Sequence, residues 1–385
     1  MIYLDNAATN GFLSYDVTEA AVTTLKYLTA NPGRSGHRLA VKAAEVVCSA
    51  RLALKSAFNA ENADKVIFTD GCTTALNAAI NGTVKKGGNV VTTALEHNSV
   101  LRPLFTLEKQ GLISLTVVEP DSAASLTEKI LRSVTDDTYL VAVTGASNVT
   151  GETPDITAIG KGIKNLNETR TGGNKILFLV DGAQLAGHKK IDVTASDIDL
   201  LCLAGHKALG AISGSGALII SEKADVLPTK SGGTGTETFL LTQPMFYPER
   251  LEAGSLNLPA IASLKEAAEE TEKNAERNGE LLLSRTAYLC ERLSMVKGIK
   301  LYSKPNPCGI VSFSASGTDS NSFADILSSD FDIAVRGGFH CAPLLHKFLK
   351  TDKTGLVRAS LSPKNSAAEL DAFLFAVRSI QSRKG

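Results

Sequence analysis

The sequence predicts an α/β fold: a mostly parallel sheet covered by helices on both faces, followed by a smaller C-terminal α+β domain. Three observations carry this. From residue 65 to about 220, short β-branched runs alternate with helical stretches. Several of those runs are continuously apolar, as strands buried on both faces are. After Pro259 the texture changes to a long stretch rich in Ala, Leu, Glu, Lys and Arg.

The elements follow in order. Val66-Ile67-Phe68-Thr69 reads as a strand and leads into a helix over about 73–83. Val90-Val91-Thr92-Thr93 is followed by a helix over 99–110. Tyr139-Leu140-Val141-Ala142-Val143 and Ile176-Leu177-Phe178-Leu179-Val180 are of strand length, and Leu200-Leu201-Cys202-Leu203 and Ala217-Leu218-Ile219-Ile220 complete the series. Helical crossovers make parallel pairing the expected arrangement. Residues 260–295 predict one long helix or two in tandem. Strands are expected at Ile310-Val311-Ser312-Phe313, at Ile333-Ala334-Val335-Arg336 and at Leu356-Val357-Arg358-Ala359. Ser366 and Glu369 form a capping box for a last helix with an apolar stripe of Leu370, Phe373, Leu374, Val377 and Ile380. The predicted division is a large domain over 15–259 and a small one over 260–385, joined by an N-terminal arm, 1–14.

Composition excludes several classes. The 385 residues are 43% hydrophobic and 21% charged, which rules out intrinsic disorder. Lys+Arg and Asp+Glu are both 40, so there is no electrostatic footprint for nucleic acid or an anionic membrane. The N-terminus lacks the basic and apolar regions of a signal peptide, and no apolar stretch approaches the roughly 18 residues of a membrane span. Six cysteines without a Cys-x-x-Cys pair read as reduced thiols, and a cytoplasmic location is expected.

Ligand sites in open α/β sheets lie outside the carboxyl ends of strands. There the sequence places Asp70-Gly71-Cys72-Thr73-Thr74, an anion cradle at a helix N-terminus or a plain helix cap. It also places Glu96-His97-Asn98-Ser99, where His97 is a stacking ring or a polar turn residue. Asp181-Gly182-Ala183-Gln184 puts a carboxylate at the end of a buried strand, which needs a partner or serves as a cap. Ala204-Gly205-His206-Lys207 ends on a lysine that is either a surface loop residue or, if buried, an imine-forming amine. Together these suit a phosphorylated aromatic cofactor, and pyridoxal 5'-phosphate needs all four. No G-x-G-x-x-G, P-loop or metal-ligand spacing is found, so no metal site is expected.

The second domain adds Arg336-Gly337-Gly338-Phe339-His340-Cys341 and Val357-Arg358-Ala359-Ser360. Cys341, directly after His340 in the loop that begins at Arg336, has positive neighbours of the kind that favour a thiolate. Arg358 is either an ion-paired core residue or a bidentate carboxylate clamp.

These motifs resemble the class V aminotransferase-fold enzymes that use pyridoxal phosphate, and within them the cysteine desulfurases and selenocysteine lyases. The likeness runs from Tyr3-Leu4-Asp5-Asn6-Ala7-Ala8-Thr9 to Arg358-Ala359-Ser360, through Ser147-Asn148-Val149-Thr150-Gly151 and Glu252-Ala253-Gly254-Ser255. It implies the fold type I transferase architecture, with a seven-stranded-type sheet. It implies that Lys207 joins the cofactor as an imine and later moves the proton, that His97 stacks on the ring, and that Asp181 pairs with the ring nitrogen. Gln184 is implied to bond the phenolic oxygen, while Thr73, the Cys72 backbone and His206 hold the phosphate, with Ser255 reaching in from the partner of a homodimer. Asn148 and Arg358 are implied to hold the substrate carboxylate, and Arg336 to belong with them to the substrate-binding set. Cys341 is implied to take sulfur from L-cysteine as a persulfide, releasing L-alanine, with a sulfur-acceptor protein as a further partner. The alternatives are a selenocysteine lyase, another class V aminotransferase, epimerase or β-lyase on a small amino acid, or a cofactor-free scaffold.

Some positions depart from the family pattern. Ala204 stands where Ser or Thr is usual, Thr74 where an acidic residue is common, and the stretch 207–216 lacks a proline often found there. Residues 31–37 fit either an active-site entrance loop or a Pro-Gly turn between helices.

Overall fold

The computed structural model describes residues 1–33, 35–120, 125–171 and 175–383. The chain opens on β1 (Ile2–Tyr3), then α1 (Tyr15–Tyr27) and α2 (Arg38–Ala57). His37 caps α2, its ring nitrogen accepting the Ala40 N–H at 3.3 Å, and Arg34 of the loop before it lies outside the described residues. Strands and helices then alternate: β2 (Val66–Thr69), α3 (Cys72–Gly82), β3 (Gly88–Thr93), α4 (Asn98–Lys109), β4 (Ile113–Val118), α5 (Leu126–Arg132), β5 (Thr138–Thr144), α6 (Ile156–Thr169) and β6 (Leu177–Asp181). β7 (Leu200–Ala204) and β8 (Gly216–Ile220) close the region, separated by one wide helical turn, Gly205–Leu209.

Seven of these strands form one sheet in the order β2-β8-β7-β6-β5-β3-β4. β4, β3, β5, β6 and β7 run parallel, and their carboxyl ends share one edge. β8 corrects the expectation of parallel pairing, because it is antiparallel to both β7 and β2. The reason is the connection: the stretch 205–215 between β7 and β8 is too short for the crossover of about a dozen residues or more that a parallel return needs, whereas the parallel β6 and β7 are joined by the longer stretch 182–199. The central strands β5, β7 and β8 are buried along their whole length, which explains their unbroken apolar sequences.

A single helix of 37 residues, α7 (Leu258–Ser294), leads out of the sheet region and packs on α1 and α2. It delivers the chain to β9 (Ile299–Leu301), β10 (Ile310–Ala315), α8 (Ser320–Phe331), β11 (Ile333–Ala334), α9 (Pro343–Phe348), β12 (Val357–Ser360) and α10 (Ala367–Ser382). β12, β10 and β9 form an antiparallel sheet, and Phe313, Phe323 and Phe373 meet behind it, the first two edge to face at 5.6 Å. The capping box of Ser366 and Glu369 forms as expected. β1 pairs in parallel with β11, and Asp5 bridges to Ser360, so the first residues of the chain are built into this second unit. No helix among the described residues is long and apolar enough to cross a membrane.

Candidate active site

The carboxyl edge of the parallel strands opens into a cavity of about 430 Å³, within the range of small-molecule sites. Lys207 enters it from the wide turn after β7. That turn is closed by Gly210, whose φ of +86° suits glycine, and Gly205 starts it where a side chain would strike Ser215. Burial pulls the Lys207 amine below its usual pKa, opposed chiefly by the Asp181 carboxylate. A buried amine with an easily reached neutral form is what imine chemistry requires.

Asp181, the last residue of β6, is 4% exposed. One oxygen, Oδ1, accepts the Ala183 N–H at 3.0 Å and the Cys72 thiol at 3.3 Å. Oδ2 has no hydrogen bond among the described residues. Burial, with Asp181 beside it, pushes the Cys72 thiol well above its usual range, so the sulfur keeps its proton and donates it. His97 caps α4, its Nδ1 accepting the Ser99 N–H at 3.1 Å, which leaves Nε2 to carry the ring proton. Burial, then the Lys207 charge, hold this imidazole down at about 4, so the ring is neutral near pH 7. The Ser99 hydroxyl joins His97 Nδ1 at 2.9 Å to the Thr73 hydroxyl at 2.8 Å.

A phosphorylated cofactor fits these walls. α3 begins at Cys72 behind Gly71, and no side chain caps it, so its first N–H groups face the cavity edge uncapped. His206 Nδ1 is buried without a partner on the same wall, and Gln184 is steadied by donating to the Ala7 carbonyl at 2.9 Å. Thr74 donates to Asp70, which brings a carboxylate beside the position where an acidic residue is common.

Cys72, Thr73, His97, Asn148, Asp181, Gln184, His206 and Lys207 thus surround one cavity. Four other expected residues lie outside its wall. Cys341 is exposed and heads a groove that shares Thr73, His97 and Ser99 with the cavity. Its loop bends through left-handed backbone at His340 (φ +48°) and Cys341 (φ +57°), and is pinned by Asn98 N–H to the Cys341 carbonyl at 2.8 Å and by Asn148 to the His340 carbonyl at 2.6 Å. His340, expected as a positive neighbour of Cys341, is buried instead, and its imidazole is driven down to about 2, so it is neutral. Arg336 is half-buried and bonded to the Arg358 strand through its backbone, and Arg358 is the guanidinium that acts electrostatically with Cys341. Arg358 is 1% exposed, with Nη2 on Asp5 Oδ1 at 2.8 Å and Nη1 on the Asn148 carbonyl at 3.0 Å. The structure thus shows the ion-paired reading of Arg358, and the guanidinium's second partner, Asn148, lines the cavity. Ser255 lies in a neighbouring cleft that shares Asp70 and Thr74 with the cavity.

Glu96 is the group that sequence reasoning passed over. It is fully buried, Oε1 accepts the Thr93 hydroxyl at 2.6 Å and the Thr144 N–H at 2.9 Å, and Oε2 has no partner. Burial pushes its carboxyl up to about 8. Its place beside His97 was the available signal, but a charged residue in a turn reads as solvated.

A buried amine, a strand-end carboxylate and an uncapped helix N-terminus at one sheet edge define a site for an anionic, amine-reactive ligand. The chain belongs to the aminotransferase class-V family, whose model matches residues 2–373. It is 30% identical over 96% of its length to a probable cysteine desulfurase of Methanothermobacter thermautotrophicus, covering 92% of that protein. It is 32% identical over 97% of its length to a probable cysteine desulfurase of Pyrococcus abyssi, again covering 92%. Among solved structures, an apo cysteine desulfurase from Thermococcus onnurineus NA1 superposes with a TM-score of 0.86 at 29% identity, covering 99% of this chain and 95% of that one. The fold is therefore that of the cysteine desulfurases.

Proposed function

We propose that this chain is a cysteine desulfurase that uses pyridoxal 5'-phosphate, moves sulfur from L-cysteine onto Cys341 and releases L-alanine. The observation that carries the reading is the buried Lys207 amine facing Asp181 in one cavity, with the exposed Cys341 thiol at the head of the adjoining groove. The class V relatives named above support it.

In this reading Lys207, His97, Asp181 and Gln184 hold the cofactor ring, while Thr73, the Cys72 backbone and His206 hold its phosphate. When bound, the cofactor supplies the electron sink for charge developing on the substrate carbons. Lys207 binds and releases the proton at the substrate carbon, and its lowered pKa keeps the free amine within reach. Neutral His97 packs against the ring without adding a charge beside Lys207. Asn148, Arg336 and Arg358 orient the substrate carboxylate. Overall, L-cysteine and the Cys341 thiol give L-alanine and a Cys341 persulfide: the C–S bond breaks, an S–S bond forms, and a proton is taken up at the carbon.

The reading includes a homodimer in which Ser255 serves the partner's site, and a protein that accepts the sulfur. A run of exposed apolar side chains supports the dimer, with Phe239 97% and Leu241 100% exposed and Met245 and Phe246 exposed beside them. Light scattering should give twice the chain mass, and a monomer at micromolar concentration would count against it. All six cysteines are free thiols, which supports a cytoplasmic location that cell fractionation can check.

The test is direct. Protein incubated with pyridoxal phosphate and reduced with borohydride should carry the adduct on the peptide containing Lys207. Lys207→Ala should lower alanine formation from L-cysteine by about 10³-fold, and Cys341→Ala should abolish sulfane sulfur on the protein. A keto acid with ammonia instead of alanine would overturn the assignment, and selenocysteine assayed in parallel separates the lyase alternative.

A further inference from the structure

The thiol of Cys72 has no part in the roles above. We propose that the Cys72 side chain is a positioning group for Asp181, fixing one carboxylate oxygen so that the other is presented to the cofactor. The proposal rests on the cofactor reading of the site. Cys72 is the first residue of α3, so its backbone N–H belongs to the uncapped helix end while its side chain turns to the acid that ends β6. The two residues are 109 positions apart, one at the start of α3 and the other at the end of β6.

Sγ lies 3.3 Å from Asp181 Oδ1, and the Ala183 N–H reaches the same oxygen at 3.0 Å. Two donors on Oδ1 hold the carboxylate plane against rotation, and the absence of any described hydrogen bond to Oδ2 leaves that oxygen as the acceptor for a ligand N–H. Cys72 is 8% exposed, and burial beside Asp181 keeps its proton in place, so it acts as a donor and not as a nucleophile. Lys207, His97, Glu96 and Cys202 also act electrostatically with Asp181. Of these, Cys202 is its strand partner, and neither it nor the others has a side-chain hydrogen bond to the carboxylate.

Two measurements test this. Apoprotein is titrated with pyridoxal phosphate and followed by visible absorbance. Cys72→Ala, which removes the donor, should weaken binding by about three- to tenfold, as expected for one lost hydrogen bond. Cys72→Ser, which keeps a donor of similar size, should bind within about threefold of the parent. In the infrared spectrum of the apoprotein, Cys72→Ala should delete one S–H stretching band, and Asp181→Asn should move that band to higher frequency because its acceptor loses charge. Equal affinity in Cys72→Ala, or an S–H band indifferent to Asp181→Asn, overturns the proposal. A parent protein that takes up no pyridoxal phosphate overturns the cofactor reading instead, and the infrared pair then still decides the thiol–carboxylate contact.

Discussion

Arg358 Nη2 lies 2.8 Å from Asp5 Oδ1, tying the first residues of the chain to the strand that runs past the site. The same arm bonds Gln184 through the Ala7 carbonyl, so it braces both sides of the cavity. The two ends of the ion pair differ in burial: the arginine side chain is 1% exposed and the aspartate 22%. Asp5→Ala therefore strands a guanidinium in the interior with a carbonyl as its remaining partner, at a cost of about 3–5 kcal/mol. Arg358→Met fills the same space and leaves an aspartate that water can reach, so it should cost less. Urea unfolding of both variants checks the order, and a larger loss for Arg358→Met would refute this account of the pair.

Glu96 sets a stability dependence on pH. Its carboxyl keeps its proton to about 8 in the folded protein, while in the unfolded chain it ionises near the usual value of 4.5. Between those values the folded state binds more protons, so this group makes stability fall as pH rises, by up to about 1.4 kcal/mol per unit. Glu96→Gln keeps the acceptor for Thr93 and Thr144 and removes the titration. Its unfolding midpoint should gain on the parent steadily from pH 5 to pH 8, and two parallel pH curves would rule the assignment out.

Much of this was legible along the chain. The buried strands announce themselves because both faces are covered, and Lys207, Asp181 and His97 each lie at or just past the end of a strand, where α/β sheets place their ligands. β4 escaped because it sits at the sheet edge with only its ends buried, so its sequence carries no clear apolar run. The antiparallel β8 depended on reading a missing crossover, not a strand. The pairs Asp5–Arg358 and Cys72–Asp181 join residues far apart in sequence, and no local spacing encodes them. The neutral states of Glu96 and His340 are products of burial, which a motif does not display.

His97 has two duties that substitution can separate. Its ring nitrogen caps α4, and its ring forms a wall of the cavity. Asparagine is a good N-cap, so His97→Asn should leave the unfolding free energy within about 1 kcal/mol, whereas His97→Ala should lose about 1 kcal/mol more. Both should weaken pyridoxal phosphate binding alike, since both remove the ring. If His97→Asn binds the cofactor as tightly as the parent, the ring has no stacking duty.

The turn that carries Lys207 depends on a missing side chain. A β-carbon at Gly205 would stand 2.0 Å from Ser215 Oγ and 3.0 Å from both the Ser215 β-carbon and its carbonyl oxygen. Gly205 also receives the Ala211 N–H at 2.7 Å and gives its own to Ser215 at 2.9 Å, so it cannot shift without loosening the turn. Gly205→Ala should therefore cost about 1–3 kcal/mol, the usual range for overpacking, and should lower the fraction of protein loaded with cofactor. Adding Ser215→Ala removes the 2.0 Å contact but not those at 3.0 Å, so the double variant should recover part of the loss and not all of it. Thermal unfolding and cofactor absorbance on the three variants give the coupling, and strict additivity would show that the two side chains do not meet.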